Sequence, residues 1–181
     1  MRINVIDPRY LADQHLVAEY RELKMLPKSL LRTLHSKAGF VSKKVPKNYT
    51  LNTGHGYFFY DKVEFIIDRF KLILNEMEYR KFTTNFRELP LEGIPKKFFG
   101  NYEITDEAIQ INLERIRLRI SGKPTWFKYF GGPMRQFDWE VLYENYCNEI
   151  NIPFETIDEC KDNPIPDNKN LKIYPVGSGH Y

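Results

Sequence analysis

Residues 58–80, FFYDKVEFIIDRFKLILNEMEYR, contain the clearest structural signal in the chain. Large apolar residues recur there every three or four positions, at Phe59, Val63, Ile66, Phe70, Ile73 and Met77. This spacing forms one apolar stripe along an α-helix, whereas a half-buried strand would alternate with a period of two. The sequence therefore predicts an amphipathic helix over about 58–80 whose stripe faces a core.

Three further segments show helical patterns. Asp7-Pro8 is a typical helix start, and Leu16, Leu23, Leu30 and Leu34 follow at helical spacing with an interruption at Pro27. This pattern predicts a kinked helix over about 8–36. A helix is predicted over about 106–121, ended by Gly122, and its core-facing stripe is Ile109, Leu113, Ile116 and Ile120. Another is predicted over about 136–150, with an apolar face of Trp139, Leu142, Tyr143 and Tyr146 and an opposite face that includes Glu140 and Glu144. One short strand is possible at 171–176, so the predicted fold class is all-α, with three main helices and a C-terminal helical or irregular extension.

Composition narrows the class of protein. The 181 residues are 42% hydrophobic and 28% charged, which is an ordinary balance for a globular protein. The length suits one domain, or one domain with an appendage. No apolar run approaches the roughly 20 residues of a membrane span, and the N-terminus lacks the apolar region of a signal peptide. Two cysteines, Cys147 and Cys160, exclude a disulfide framework and a four-cysteine zinc site. We therefore expect an intracellular protein, cytoplasmic or associated with the nucleoid.

Charge is distributed unevenly along the chain. Residues 135–181 contain four Lys/Arg and nine Asp/Glu, whereas residues 1–134 contain 23 and 15. A basic body favours a polyanionic partner, most often nucleic acid, although an unevenly charged solvated surface explains the count as well. The change in composition predicts a functional domain over 1–134 and an acidic extension over 135–181, packed on that domain or partly flexible.

Helix 8–36 contains the most suggestive group of polar residues. His15, Glu19 and Glu22 share one helical stripe at the edge of the apolar face. Such a group suits a metal site, an acid/base site or a solvated helix flank, and the residues alone leave these open. His35 and His55 are isolated histidines, for which a structural or exposed position is expected.

A basic and aromatic segment follows the helix at 106–121. Arg115 and Arg119 share one flank of that helix and Arg117 lies on the other, while residues 123–132 read KPTWFKYFGG. Basic groups neutralise phosphates, and interleaved aromatic rings can stack on bases or wedge between them. The alternative is that these rings plug the core, and both can hold for different rings.

Three stretches together resemble one known family. Residues 3–23 (INVIDPRYLADQHLVAEYREL), 54–62 (GHGYFFYDK) and 114–131 (ERIRLRISGKPTWFKYFG) closely resemble the phage endonuclease V type of pyrimidine-dimer DNA glycosylase/AP lyase. The resemblance covers about 1–132. It implies an all-α domain whose N-terminal segment threads between the first and third long helices. It also implies excision of cyclobutane pyrimidine dimers from duplex DNA, followed by β-elimination at the abasic site through a Schiff base, without metal or cofactor.

The resemblance assigns roles to individual residues. The nucleophile of the family is the N-terminal α-amine, here in register with Met1, and its essential acidic group corresponds to Glu22. The resemblance also carries over contacts with DNA, at Arg2, His15, Arg21, Arg115, Arg119, Trp126, Lys128 and Tyr129. Lys24 and Lys123 are expected to bind DNA as well, as basic residues beside these matches.

Several positions depart from the family pattern. The mature chain of the family usually begins with threonine, whereas here Met1 directly precedes Arg2, and the large arginine predicts that the methionine is retained. Phe127 and Phe130 stand where the family has tyrosines, and Lys24 substitutes for a basic residue that is shifted. The missing threonine motivates one alternative, a catalytically altered damaged-DNA-binding protein. The stripe of His15, Glu19 and Glu22 leaves a second, a metal-dependent nuclease. A monomer is expected.

Overall fold

The computed structural model describes residues 3–154, and these form a mostly helical structure. The helices are α1 (Asp13–Leu23), α2 (Met25–Leu34), α3 (His55–Phe58), α4 (Val63–Tyr79), α5 (Asp106–Ser121) and α6 (Gln136–Glu149). Strands β1 (Lys128–Tyr129) and β2 (Gly132–Pro133) pair as an antiparallel hairpin between α5 and α6. The predicted all-α class is confirmed. Met1, Arg2 and the strand predicted at 171–176 lie outside the described residues.

The single kinked helix predicted over 8–36 is wrong in its extent. Asp7 does act as a cap, because its side chain accepts a hydrogen bond from the backbone N–H of Arg9, but it caps only the 3₁₀ turn Pro8–Tyr10. The α-helix begins at Asp13 and is interrupted at Lys24. Pro27 explains the interruption, since a proline has no N–H to donate to the carbonyl four residues earlier.

The helix predicted over 58–80 begins later than expected, at Val63. The preceding turn is tied to a distant loop, because Gly100 N–H donates to the Asp61 carbonyl and Glu64 N–H donates to the Gly100 carbonyl. A Cβ at position 100 would lie 2.4 Å from the Asp61 carbonyl oxygen, so this close approach requires glycine. The tertiary contact, and not the apolar spacing, sets the start of α4.

The core forms around the N-terminal segment. Ile3, Val5 and Ile6 are buried, and so are the apolar stripes predicted on α4 and α5. The segment lies between α1 and α5, where Asn4 bonds Glu19 and the Val5 N–H donates to the Asn112 side chain at 2.8 Å. The expected threading of the N-terminal segment is therefore confirmed.

Helix α6 covers one end of this core. Trp139 and Tyr143 are fully buried. Glu140, which the sequence places on the exposed face, instead forms a 2.6 Å ion pair with Arg117 of α5, so that expectation is corrected. Further contacts join the end of α6 to residues 7–10, through Glu149 with Arg9 and Tyr10 and through Tyr146 with the Asp7 backbone. The apolar face predicted for this helix thus finds its partner in the main core.

Within residues 3–154, no helix combines the length and the apolar composition that crossing a bilayer requires.

Candidate active site

A pocket opens between α1 and α5 beside the threaded N-terminal segment. Residues four apart on a helix share a face, which brings His15 and Glu19 of α1 opposite Arg115 and Arg119 of α5. The complete lining consists of Asn4, His15, Ala18, Glu19, Leu51, Arg115, Ile116 and Arg119. The pocket therefore combines three of the residues expected at the site, His15, Arg115 and Arg119, and it presents two guanidinium groups.

The carboxylate of Glu19 lies at the floor of the pocket, and both of its oxygens accept hydrogen bonds. Arg69 donates from Nε to Oε1 at 2.7 Å and from Nη2 to Oε2 at 3.0 Å, and Asn4 adds a side-chain and a backbone donor. Glu19 is 1% exposed and Arg69 is 4% exposed. The interpretations of Glu19 as a solvated flank or a metal ligand are therefore wrong. No group of three His, Cys, Asp or Glu within 3–154 is arranged to hold a metal ion.

His15 lies deeper in the pocket than a surface contact would require. It is 9% exposed, and its ring centroid lies 4.6 Å from that of Phe127, which is itself buried. Trp126, one residue earlier, is 54% exposed. The two interpretations of the aromatic segment thus apply to different rings: Phe127 plugs the core beside His15, whereas Trp126 faces outward.

The first turn of α1 holds the aromatic-basic segment in place. Gln14 donates to the Trp126 carbonyl at 2.7 Å and accepts from the Lys128 N–H at 3.0 Å. Asp13 accepts from the backbone N–H groups at the hairpin tip, 3.2 Å from that of Phe130 and 2.7 Å from that of Gly131. Sequence reasoning missed both residues, because a polar side chain at a helix start gives no signal for a partner more than 100 residues away.

The Tyr129 side chain contacts other parts of the fold rather than forming an outward surface. Its hydroxyl donates to the Arg9 carbonyl at 2.7 Å, and its ring lies 5.8 Å from the Trp139 ring. The Arg80 guanidinium lies 4.8 Å from the Tyr129 ring centroid and donates to Glu76, Asp13 and three backbone carbonyls of residues 8–11. Trp126 and Lys128, by contrast, are exposed, and so is Phe130.

The arginines of α5 divide between two faces, as the sequence predicts. Arg115 donates from Nη1 to the Leu51 carbonyl at 2.9 Å while it lines the pocket, and Arg119 lies one turn further along. Arg117, on the other flank, is occupied by Glu140. Lys123 is exposed just beyond the end of α5.

Glu22 lies one turn after Glu19 on α1 and is half-buried. It is not among the lining residues of the pocket. Arg21 beside it is exposed, and the Lys24 ammonium lies 4.4 Å from the Phe86 ring centroid. These three residues extend the polar surface of α1 away from the pocket and toward α2.

Positive charge continues beyond these residues. Residues 24–60 contain seven Lys/Arg and no Asp/Glu. Six of the seven, Lys28, Arg32, Lys37, Lys43, Lys44 and Lys47, are exposed. The net charge of residues 1–134 does not reveal this basic stretch, because acidic residues elsewhere in the domain offset its positive charge.

His55 is buried, as the structural interpretation of an isolated histidine predicts, whereas His35 is exposed. Burial lowers the pKa of His55 to about 4, although its hydrogen bond to the Thr50 carbonyl opposes this shift. The imidazole is therefore neutral near pH 7. A neutral ring has one donor and one acceptor nitrogen, and His55 uses both.

The family model described as pyrimidine dimer DNA glycosylase matches residues 1–88. Residues 1–88 are therefore similar to that family. The matched range includes the threaded segment and helices α1 to α4. The match supports DNA repair by excision of pyrimidine dimers, with DNA as the partner. Helix α5, which completes the pocket, and the hairpin both follow the matched range, and their assignment depends on the resemblance of residues 114–131.

Proposed function

We propose that this protein is a DNA glycosylase with AP lyase activity: it excises cyclobutane pyrimidine dimers from duplex DNA and nicks the abasic site through a Schiff base on its N-terminal α-amine. The observation that supports this most strongly is the threading of residues 3–6 between α1 and α5. Asn4 lines a pocket bordered by Arg115 and Arg119. Ile3 is two residues from position 1, a covalent reach of at most about 7 Å.

An α-amine suits the nucleophilic role. Its ordinary pKa of about 7.7–8.0 leaves roughly a third of the molecules neutral near pH 7.5, against about 0.1% for a lysine side chain. Only the neutral amine has the lone pair that attacks carbon. Because Arg2 follows Met1, we expect the methionine to be retained and its amine to be the nucleophile. Removal of Met1 would shorten the chain by up to about 3.6 Å, enough to disable the attack.

The reaction divides into two steps. The amine lone pair forms a bond to C1′ of the damaged nucleotide as the glycosidic bond breaks. The electron pair of the glycosidic bond leaves with the base. Loss of a proton from nitrogen and opening of the sugar give the imine. Glu22, as a carboxylate, stabilises positive charge on the sugar and the imine, and it then assists removal of the C2′ proton. The electrons of that C–H bond form a double bond and expel the 3′ phosphate.

The basic residues position the duplex. Arg115 and Arg119 are directed at phosphates beside the pocket, and further contacts come from Arg2, Arg21, Lys24, Lys123 and Lys128. Trp126 supplies an exposed ring for stacking, and His15 borders the lesion. Such enzymes distort the duplex and extrude a nucleotide to reach their target atom. The burial and hydrogen bonding of Tyr129 favour an indirect role, in which it supports the segment that carries Trp126 and Lys128.

One sequence observation favours a second candidate, a damaged-DNA-binding protein with altered catalysis, because Met1 stands where the family has threonine. The metal-dependent nuclease is disfavoured, since Arg69 and Asn4 occupy both oxygens of Glu19.

Borohydride trapping tests the proposal. The protein is incubated with UV-irradiated duplex and with abasic duplex, with and without EDTA, and sodium borohydride reduces any imine to a stable adduct. We expect adducts on both substrates in EDTA, and peptide mapping should place the adduct on residue 1. Binding without an adduct would support the altered-catalysis candidate, and trapping on a lysine side chain would contradict the role of the α-amine.

A further inference from the structure

The backbone of Ile3 is held from both sides, by Tyr49 in the loop that precedes α3 and by His55, the first residue of α3. The Ile3 N–H donates to His55 Nε2 at 2.7 Å, and the Ile3 carbonyl accepts from the Tyr49 hydroxyl at 2.8 Å. His55 is 3% exposed and Tyr49 is 4% exposed. Two buried side chains therefore define where this peptide lies.

The orientation of His55 follows from its other nitrogen. Nδ1 faces the Thr50 carbonyl, which can only accept, so Nδ1 holds the proton and Nε2 presents a lone pair to Ile3. The loop itself is joined to α5, because Arg115 donates to the Leu51 carbonyl at 2.9 Å. The same loop thus contacts both the N-terminal segment and an arginine of the pocket.

Residues 4–6 have separate anchors and do not depend on His55. Asn4 is bound by Glu19, and the backbone N–H groups of Val5 and Ile6 donate to Asn112 at 2.8 and 3.3 Å. Loss of the His55 acceptor would therefore free the Ile3 N–H and the chain upstream of it, while the Ile3 carbonyl and the rest of the threaded segment stay in place.

We propose that His55 is a positioning residue for the reaction: by accepting from the Ile3 N–H, it sets the direction in which the chain presents its N-terminal α-amine to the pocket. This inference rests on the proposed function, in which that amine attacks C1′. Attack requires the reacting atoms within about 3–3.5 Å, and a misplacement of about 1 Å can cost two orders of magnitude in rate. Ile3 is 0% exposed and lies two residues from the amine along the chain.

The test compares His55→Leu, which removes the acceptor, with His55→Gln, whose amide oxygen can replace Nε2. Tyr49→Phe removes the second anchor without changing the ring. Tyr20→Phe is the matched control, because the hydroxyl of the buried Tyr20 donates to the Phe86 carbonyl at 2.7 Å, far along the chain from residues 3–6. Each variant is measured for melting temperature, affinity for abasic duplex, and single-turnover rate of borohydride trapping at saturating DNA.

We expect His55→Leu to slow trapping at least about tenfold at unchanged DNA affinity, and His55→Gln to recover most of the rate. Tyr49→Phe should slow trapping to a smaller extent, and it tests the same anchor if His55→Leu does not fold. Tyr20→Phe should lower the melting temperature without slowing trapping.

Wild-type trapping rates in folded His55→Leu and Tyr49→Phe would overturn the inference, and so would trapping losses that follow melting temperature across all variants. A wild-type protein that forms no adduct on residue 1 would instead overturn the proposed function.

Discussion

Glu19 and Arg69 form a two-point ion pair in the interior, with the Nε–Oε1 and Nη2–Oε2 distances at 2.7 and 3.0 Å. Arg69 also donates from Nη1 to the Ile6 carbonyl at 2.6 Å, and Glu19 also holds Asn4. Helices α1 and α4 are thus joined to each other and to the threaded segment by one pair of charges. The pair connects the stability of the core to the place where the chain enters the pocket.

Removal of one partner of this pair should destabilise the protein strongly. Glu19→Ala leaves the Arg69 charge buried without its counter-ion, and such losses typically cost about 3–5 kcal/mol. Urea denaturation should show this decrease in the free energy of unfolding. The double variant Glu19→Met/Arg69→Met should recover part of the loss, because it buries no unpaired charge. Equal stability of Glu19→Ala and wild type would contradict the structural role of the pair.

Glu22→Gln should abolish dimer excision while damaged duplex is still bound. The amide keeps the size of the side chain but removes the charge that stabilises the cationic sugar and imine. Excision is measured on UV-irradiated duplex, and affinity by fluorescence anisotropy. Glu64→Gln, at an exposed position in the first turn of α4, is the matched control and should retain full turnover. Near-normal excision by Glu22→Gln would remove this residue from the proposed mechanism.

Replacement of Arg115, Arg119 and Lys128 by glutamine should weaken the salt dependence of DNA binding. Each lost phosphate contact is expected to lower the slope of log affinity against log salt by about 1. Binding isotherms between low and physiological salt measure this slope. Lys71→Gln is the control, because Lys71 pairs with Asp68 at 2.8 Å and is assigned no phosphate. An unchanged slope in the triple variant would mean that DNA binds another face.

The C-terminal extension should contribute stability rather than inhibition. A chain ended after Met134 loses Trp139 and Tyr143 from the core, so we expect a lower melting temperature with similar DNA affinity at physiological salt. A chain ended after Phe154 keeps α6 and should bind DNA as the full chain does. Much tighter DNA binding by either truncated protein, without loss of stability, would indicate that the acidic extension competes with DNA.

Stability should fall in mild acid because of His55. Its pKa is lowered to about 4 in the fold by burial, against about 6.5 in the unfolded chain, so the unfolded state binds more protons between these values. The contribution is complete above pH 6.5 and is lost as pH falls toward 4, a change of roughly 3 kcal/mol. Melting temperatures between pH 7.5 and 4 measure it. His55→Gln, which does not titrate, should show a smaller decrease, and a decrease equal to that of wild type would contradict the assignment.

Local patterns predicted the elements better than their ends. The stripes on α4 and α5 follow from side chains spaced every three or four residues, and all their members on these helices are buried. The boundaries at Lys24 and Val63 were missed, because one depends on a missing backbone donor and the other on a contact with Gly100. Helix ends depend on where orphan backbone groups find partners, and a stripe does not specify those partners.

The candidate site also has features that the sequence predicted and features that it did not. Arg115 and Arg119 could be placed on one flank and Arg117 on the other, since positions on a single helix follow from its geometry alone. The burial of Glu19 could not be predicted, because its stripe position at the edge of the apolar face fits both a solvated and a buried side chain.

The sequence by itself determined the helical class, the apolar faces of α4, α5 and α6, and a family resemblance that the match over 1–88 supports. Only the tertiary structure decided three contacts. Glu19 forms a buried ion pair with Arg69, the Tyr129 hydroxyl donates to the Arg9 carbonyl, and His55 accepts a hydrogen bond from the Ile3 N–H. The physical reason is the range of the interactions. Periodicity and capping act over a few residues, whereas these polar contacts join residues 50 to 120 positions apart, whose partners exist only after the core has formed.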